Sequence, residues 1–202
     1  MIHYEKYTAA DADVEALIAG ALAGRLVTVD PGGEAHVGIF PFVPAGTVVQ
    51  LHLTNHDPQL EHLRARGRCL FQVDDVLTTI PSYWIDPEVA TYADLYYRSV
   101  TLRGRAEVTA SGPGLVAHLD ALLERHQGTG RHAPVAEKPE LYGAALTRLS
   151  LVEITVDDVL VKFKLGQQEP SAVRTAIASC LRERAGASDI AAAGFVCRYI
   201  PE

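Results

Sequence analysis

The stretch Val161-Lys162-Phe163-Lys164-Leu165-Gly166-Gln167-Gln168 decides how the chain is read. It follows a strand-like run and leads into a helix that begins near Pro170. At a strand's period of two, Lys162 and Lys164 point to one face while Val161, Phe163 and Leu165 take the other. Two ammonium groups on one face, followed by Gly166 and two side-chain amides, suit an anionic group held at a strand-to-helix junction. A solvated strand face ending in a turn gives the same spacing, so the stretch must be weighed against its surroundings.

Toward the N-terminus, strand patterns cover residues 149–156 and 160–165, with one more helical turn at 141–146. Residues 113–126 carry Leu115, Leu119, Leu122 and Leu123 on one face behind a leading proline, the pattern of an amphipathic helix. Before it lie a long strand pair over 96–108, a Tyr-, Trp- and Pro-rich loop at 81–93, and short strands at 76–80 and 69–73. Residues 58–66 read as a short helix. Residues 47–54 alternate Val48, Gln50, His52 and Thr54 against Val49, Leu51 and Leu53. Asp30-Pro31-Gly32-Gly33 turns a hairpin between strands at 25–29 and 35–43, and Pro44-Ala45-Gly46 turns again. A helix over 9–23, stopped by Gly24, opens the chain; helices over 171–185, stopped by Gly186, and 188–198 close it. About six to eight short strands with hairpin turns and peripheral helices predict an α+β fold built on a small barrel.

Composition narrows the function classes. With 202 residues, 48% of them hydrophobic, the chain can bury a full core. A net charge of −7 provides no general attraction to nucleic acid or anionic membrane. No apolar run reaches the length of a membrane span, and Met1-Ile2-His3-Tyr4-Glu5-Lys6 lacks the apolar run expected of a signal peptide. Cys69, Cys180 and Cys197 are odd in number and far apart, which reads as buried thiols of a reduced, cytoplasmic compartment.

Several enzyme motifs are missing: a Gly-x-Ser-x-Gly elbow, a Walker loop and a dinucleotide glycine fingerprint. His52 and His56 have helical spacing for a metal, but the alternation places them on a strand, so no metal site is expected. Residues 51–60, Leu-His-Leu-Thr-Asn-His-Asp-Pro-Gln-Leu, end a strand in small polar groups and place a proline at the start of a helix. Thr54, Asn55 and the free N–H groups beyond Pro58 suit an anion-accepting corner. A plain helix cap by Asp57 explains the same residues.

Taken in order, the segments resemble the FMN-binding split barrels of the pyridoxamine-phosphate-oxidase type, and within them the PaiB-like branch. The resemblance rests on the strand ending His52-Leu-Thr-Asn-His-Asp-Pro58-Gln59 and on Ile80-Pro81-Ser82-Tyr83-Trp84. It continues in Tyr96-Tyr97-Arg98-Ser99-Val100 running to Gly104-Arg105-Ala106, and in Lys162-Phe163-Lys164-Leu165-Gly166-Gln167 before a helix. It covers roughly residues 10–185.

The resemblance implies a split β-barrel flavin domain over residues 1–170, with a C-terminal helical extension over 171–202 packed on it. It further implies a homodimer with FMN as a non-covalent cofactor at the interface and oxidoreductase chemistry on a small molecule. His52, Thr54, Asn55 and Gln59 would then lie near the phosphate and ribityl chain, Tyr83 and Trp84 over the ring, and Arg98, Lys164 and Gln167 at the anion site. No side chain is expected to act as general acid or base. Tyr83 and Trp84 would serve equally to cap a core or a dimer seam. Arg103 and Arg105 read as a solvated or acid-paired strand face.

Two positions depart from the family pattern. Asn55 stands where PaiB-like chains often have arginine, and Gln59 near where the wider superfamily often has lysine. Losing both cations removes charge-assisted bonds to a phosphate. The resemblance then implies weaker FMN binding, or a shift onto Lys162, Lys164 and Arg98. The same resemblance admits a negative transcriptional regulator, a haem-binding barrel or a cofactor-free one. The acidic charge and the absence of a basic recognition helix argue against DNA.

Overall fold

The computed structural model describes residues 5–128 and 130–200. Its strands are β1 (Gly24–Val29), β2 (Ala35–Phe40), β3 (Val43–Ala45), β4 (Val48–Thr54), β5 (Arg68–Ile80), β6 (Asp94–Thr109) and β7 (Leu149–Lys164). The helices are α1 (Asp11–Gly20), α2 (Gln59–Arg66), α3 (Pro113–Gln127), α4 (Pro139–Leu146), α5 (Ser171–Arg184) and α6 (Asp189–Arg198). The strands form one seven-stranded sheet in the order β2-β1-β5-β6-β7-β4-β3. The β1–β2, β1–β5, β3–β4 and β4–β7 pairs are antiparallel.

The sequence pattern divided what the chain joins. Strands expected separately at 69–73 and 76–80 are one strand, β5; the pair expected over 96–108 is the single strand β6; and 149–156 with 160–165 is β7. The break expected in β7 falls on Asp157 and Asp158, which are paired at the surface. Asp157 takes Arg68 at 3.1 Å and Arg105 at 3.3 Å, while Asp158 takes Arg103 at 3.2 Å. Exposed pairs like these add little stability, but they let a long strand carry charge without breaking. The reverse error occurred at 35–43, where Pro41 and Phe42 divide β2 from β3.

That division joins the two edges of the open sheet. β2 and β3 lie at opposite ends of the strand order, yet only Pro41 and Phe42 separate them in the chain. Two residues span no more than about 10 Å, so the sheet must curl until its outer strands meet across an unpaired seam. Gly104 serves the same curvature: a Cβ there would overlap the Thr155 carbonyl on β7.

The chain forms two compact units, and β5, β6 and β7 contribute to both. The barrel unit comprises residues 18–73 and 101–160. Its interior holds Leu26, Phe42, Leu51, Leu53, Phe71 and Ile154, all essentially inaccessible. Phe42 and Phe71 meet edge to face at 5.0 Å. α2 buries Leu60 and Leu63, and α3 buries Leu115, His118 and Leu122.

The second unit holds residues 5–17, 74–100 and 161–200. Its core is Tyr96, Val100, Phe163 and Leu165 with Ile177, Leu181 and Val196 from α5 and α6. α5 does not stop on Gly186 as its sequence suggests. Ala185 takes the left-handed cap at φ 50°, and the Gly186 N–H donates to Asp189 Oδ2 at 2.9 Å. Asp189 also accepts from Thr78 Oγ1 at 2.7 Å and from Arg184 at 2.7 Å. The Arg184 guanidinium beside it holds its carboxyl well below the usual carboxylate range. No helix among the described residues is long and apolar enough to cross a membrane.

Candidate functional site

Within the barrel unit, the residues expected at a phosphate corner follow the end of β4. β4 pairs with β7 from Val48↔Thr155 to Thr54↔Leu149, which fixes where its polar tail emerges. Thr54 and Asn55 are exposed. The Asn55 amide is bound at both ends: Nδ2 donates to the Thr147 carbonyl at 3.0 Å, and Oδ1 accepts from Ser150 Oγ at 2.8 Å. Gln59 is 5% exposed. Its Nε2 donates to Leu26 O at 3.2 Å and Thr28 Oγ1 at 3.0 Å, and lies 3.4 Å from His36 O. The Gln59 N–H meets Asp57 Oδ1 at 2.9 Å, and the next N–H groups turn back to Asp57 and Pro58 carbonyls. Asp57 thus caps the turn into α2, and the anion-accepting N–H groups have partners within the protein.

His52 leads to a residue that the sequence pattern did not mark. Its Nδ1 lies 3.0 Å from Nε2 of His118 on α3. His118 is 1% exposed, and its Nδ1 has no hydrogen-bond partner. Two facing ring nitrogens need one proton between them, so one imidazole donates and the other accepts. Burial lowers the pKa of His52, and burial together with His52 pushes His118 down to about 4. The pair is therefore neutral near pH 7. On the leucine face of α3, His118 had no spacing signal.

In the second unit, the remaining expected residues occupy four settings. Tyr83 is 66% exposed, while the Trp84 ring lies under the Arg184 guanidinium at 4.7 Å. Arg98 meets Asp75 Oδ2 at 2.5 Å and sits 4.0 Å from the Phe195 ring centroid. Its Nε is buried with no partner. Gln167 closes on its own turn: its Oε1 accepts from the Leu165 N–H at 2.7 Å and its Nε2 donates to the Phe163 carbonyl at 2.6 Å. Gly166, at φ 81°, makes that turn possible, and a side chain there would overlap Tyr96 Oη.

Lys164 lies in the wall of a cavity of about 450 Å³, with Tyr7, Tyr92, Asp94, Gln168 and Glu169. Its ammonium pairs with Asp94 Oδ1. Lys162 lies 5.6 Å from the Tyr7 ring and 5.8 Å from that of Tyr97. Sequence spacing could not reveal this cavity, because Tyr7, Asp94 and Lys164 are far apart in the chain.

The donor set bears on a phosphate-bearing cofactor directly. Thr54 in the barrel unit and Tyr83 in the second unit are each exposed. The phosphate is another matter. Asn55 and Gln59 carry no charge and are engaged internally, while Arg98 and Lys164 each face a carboxylate. These residues do not fit a tightly held phosphate dianion.

An open barrel of seven strands with peripheral helices is the split barrel of flavin-binding proteins. The chain belongs to the family described as "Putative FMN-binding domain", whose model matches residues 1–158. Among solved structures, the FAD and heme binding protein from Mycobacterium smegmatis aligns with a TM-score of 0.63 at 19% identity, over 80% of this chain and 75% of that one. A conserved hypothetical protein from Mycobacterium tuberculosis gives 0.62 at 16%, covering 81% and 90%. A flavocytochrome from Azotobacter vinelandii gives 0.59 at 15%, covering 77% and 67%. At such identities the likeness establishes the fold. Comparison with curated proteins finds no significant match.

Proposed function

We propose that this chain is a cytoplasmic flavoprotein of the oxidoreductase class that binds FMN non-covalently as a homodimer and holds its phosphate weakly. The observation that carries the reading is the family match over residues 1–158, which takes in most of the sheet. When bound, the flavin supplies the electron chemistry, and the protein supplies orientation and access. Thr54, exposed at the end of β4, offers a hydroxyl to the ribityl chain. Exposed Val37 and Ile39, at 62% and 67%, give β2 an apolar face that a second copy of the chain would cover. Of the three cysteines expected to be buried thiols only Cys69 is buried, Cys180 being half-buried and Cys197 exposed; all three are free, in keeping with a reducing compartment.

The test is a spectrum followed by a titration. Purified protein reconstituted with FMN is expected to show perturbed flavin bands, and light scattering a dimer. Riboflavin should bind within about tenfold of FMN, because no strong charge-assisted contact favours the phosphate. A haem Soret band with no flavin uptake would overturn the reading. A preference for FMN over riboflavin of several hundredfold would overturn the weak phosphate hold alone.

A further inference from the structure

The cavity beside Lys164 has the makings of a second ligand site, independent of any flavin. Its wall carries both signs of charge: the Lys164 ammonium against the carboxylates of Asp94 and Glu169. Asp94 is saturated. Oδ1 takes Lys164 and the Leu95 N–H at 2.8 Å, and Oδ2 takes Gln168 Nε2 at 3.0 Å. The Asp94 side chain is only 13% exposed and that of Lys164 26%, so the pair is largely withdrawn from water. Such a pair gains little net stability, since desolvation offsets much of the attraction. It does fix the lysine in place. Of three ammonium protons, Asp94 Oδ1 takes one, leaving two to point at a ligand.

Charge selects the ligand class. A phosphate dianion would meet two carboxylates, and a simple amine would meet the ammonium of Lys164, with Lys162 near the Tyr7 ring as well. A molecule carrying one charge of each sign avoids both conflicts. Tyr7 and Tyr92 add aromatic surface to the wall, and about 450 Å³ lies within the range of small-molecule pockets. We infer that this cavity binds a small zwitterion of the α-amino-acid kind. Lys164 receives its carboxylate, Glu169 its ammonium, and Asp94 with Gln168 positions the lysine.

Calorimetric titration of the full chain with L-phenylalanine, N-acetyl-L-phenylalanine and L-phenylalanine methyl ester tests the assignment. The free amino acid is expected to bind at least about tenfold more tightly than either blocked form, since each blocked form lacks one charge-assisted contact. Lys164→Met and Glu169→Gln should each weaken it by about tenfold or more, on the same scale. Thermal melts of both variants distinguish a lost contact from a lost fold, and Glu169→Gln, which leaves the Lys164–Asp94 pair intact, keeps the test alive if Lys164→Met unfolds. Equal binding of the N-acetyl form would make this a plain anion site and overturn the inference. So would unchanged binding in both variants, or no heat from any of the three probes at millimolar concentration. FMN titrated into Glu169→Gln should bind as it does to the parent chain, so the flavin reading stands or falls separately. Loss of FMN there would assign this cavity to the cofactor and overturn the inference.

Discussion

The corner after β4 and the cavity beside the end of β7 both concentrate polar side chains, but they satisfy them differently. In the corner, neutral amides meet neutral partners: Gln59 donates to strand carbonyls and a hydroxyl, and Asn55 joins Thr147 and Ser150. In the cavity, a charge meets a charge, and Lys164 keeps donors beyond the one given to Asp94. An amide locked between carbonyls fixes the fold and offers a ligand little. An ammonium matched by one carboxylate is still a hook. Partner satisfaction, more than residue type, separates the structural polar group from the binding one.

The largest expected effect is at Gln59. Gln59→Leu leaves its acceptors in the barrel wall without their donor and should cost about 2–3 kcal/mol in a urea titration. Gln59→Lys, the substitution that would supply a family-like cation, forces an ammonium into a site only 5% exposed. It should cost about 3 kcal/mol or more, and should weaken rather than tighten FMN. A Gln59→Lys protein as stable as its parent and binding FMN more tightly would erase the contrast between the two regions.

Next comes the imidazole pair. His118 has a folded pKa of about 4, below its ordinary 6.5. Between those values the unfolded chain binds more protons than the folded one, so stability is full above about pH 6.5 and falls as the pH drops toward 4. The loss should approach about 3 kcal/mol at pH 4. His118→Gln removes the titrating group, and its melting temperature should vary less across that window. An equally steep dependence in the variant would assign the acid sensitivity elsewhere.

Gly166→Ala probes the second region without touching its charges. Its φ of 81° and the nearby Tyr96 hydroxyl leave no room for a methyl group, so a loss of about 2 kcal/mol is expected. If zwitterion binding survives in the folded variant, the turn serves the fold while Lys164 serves the ligand.

How much of this was legible in the sequence follows from what period and spacing can report. The alternation in residues 47–54, the Asp30-Pro31-Gly32-Gly33 turn and the leucine stripe of α3 are local signals, and each returned as the element expected. Asp74-Asp75 and Asp157-Asp158 misled because local polarity resembles a strand end. Only cross-strand partners show that the strand continues. The corner after β4 was visible as polar residues before a proline. Whether Gln59 faces solvent or strand carbonyls depends on where α2 packs, which no spacing reveals. His118 and Asp94 were missed for the same reason: each gains meaning from a residue distant in sequence.

The smallest expected effect is at Asn55, and it sharpens the comparison most. Unlike Gln59, Asn55 is exposed, so a longer charged side chain can replace it without entering the core. Asn55→Arg gives up the bonds to Thr147 and Ser150, at about 1 kcal/mol of stability. In return it adds a guanidinium beside Thr54. If the FMN phosphate lies at this corner, the ratio of FMN to riboflavin affinity should rise several-fold, equivalent to about 1 kcal/mol. The gain should shrink as salt is raised, because an exposed charge is screened over about 10 Å at 0.1 M. A ratio unchanged at low salt would remove the phosphate from this corner. The β4–α2 junction would then be purely a structural seam, and any charge-dependent binding would belong to the region around Lys164.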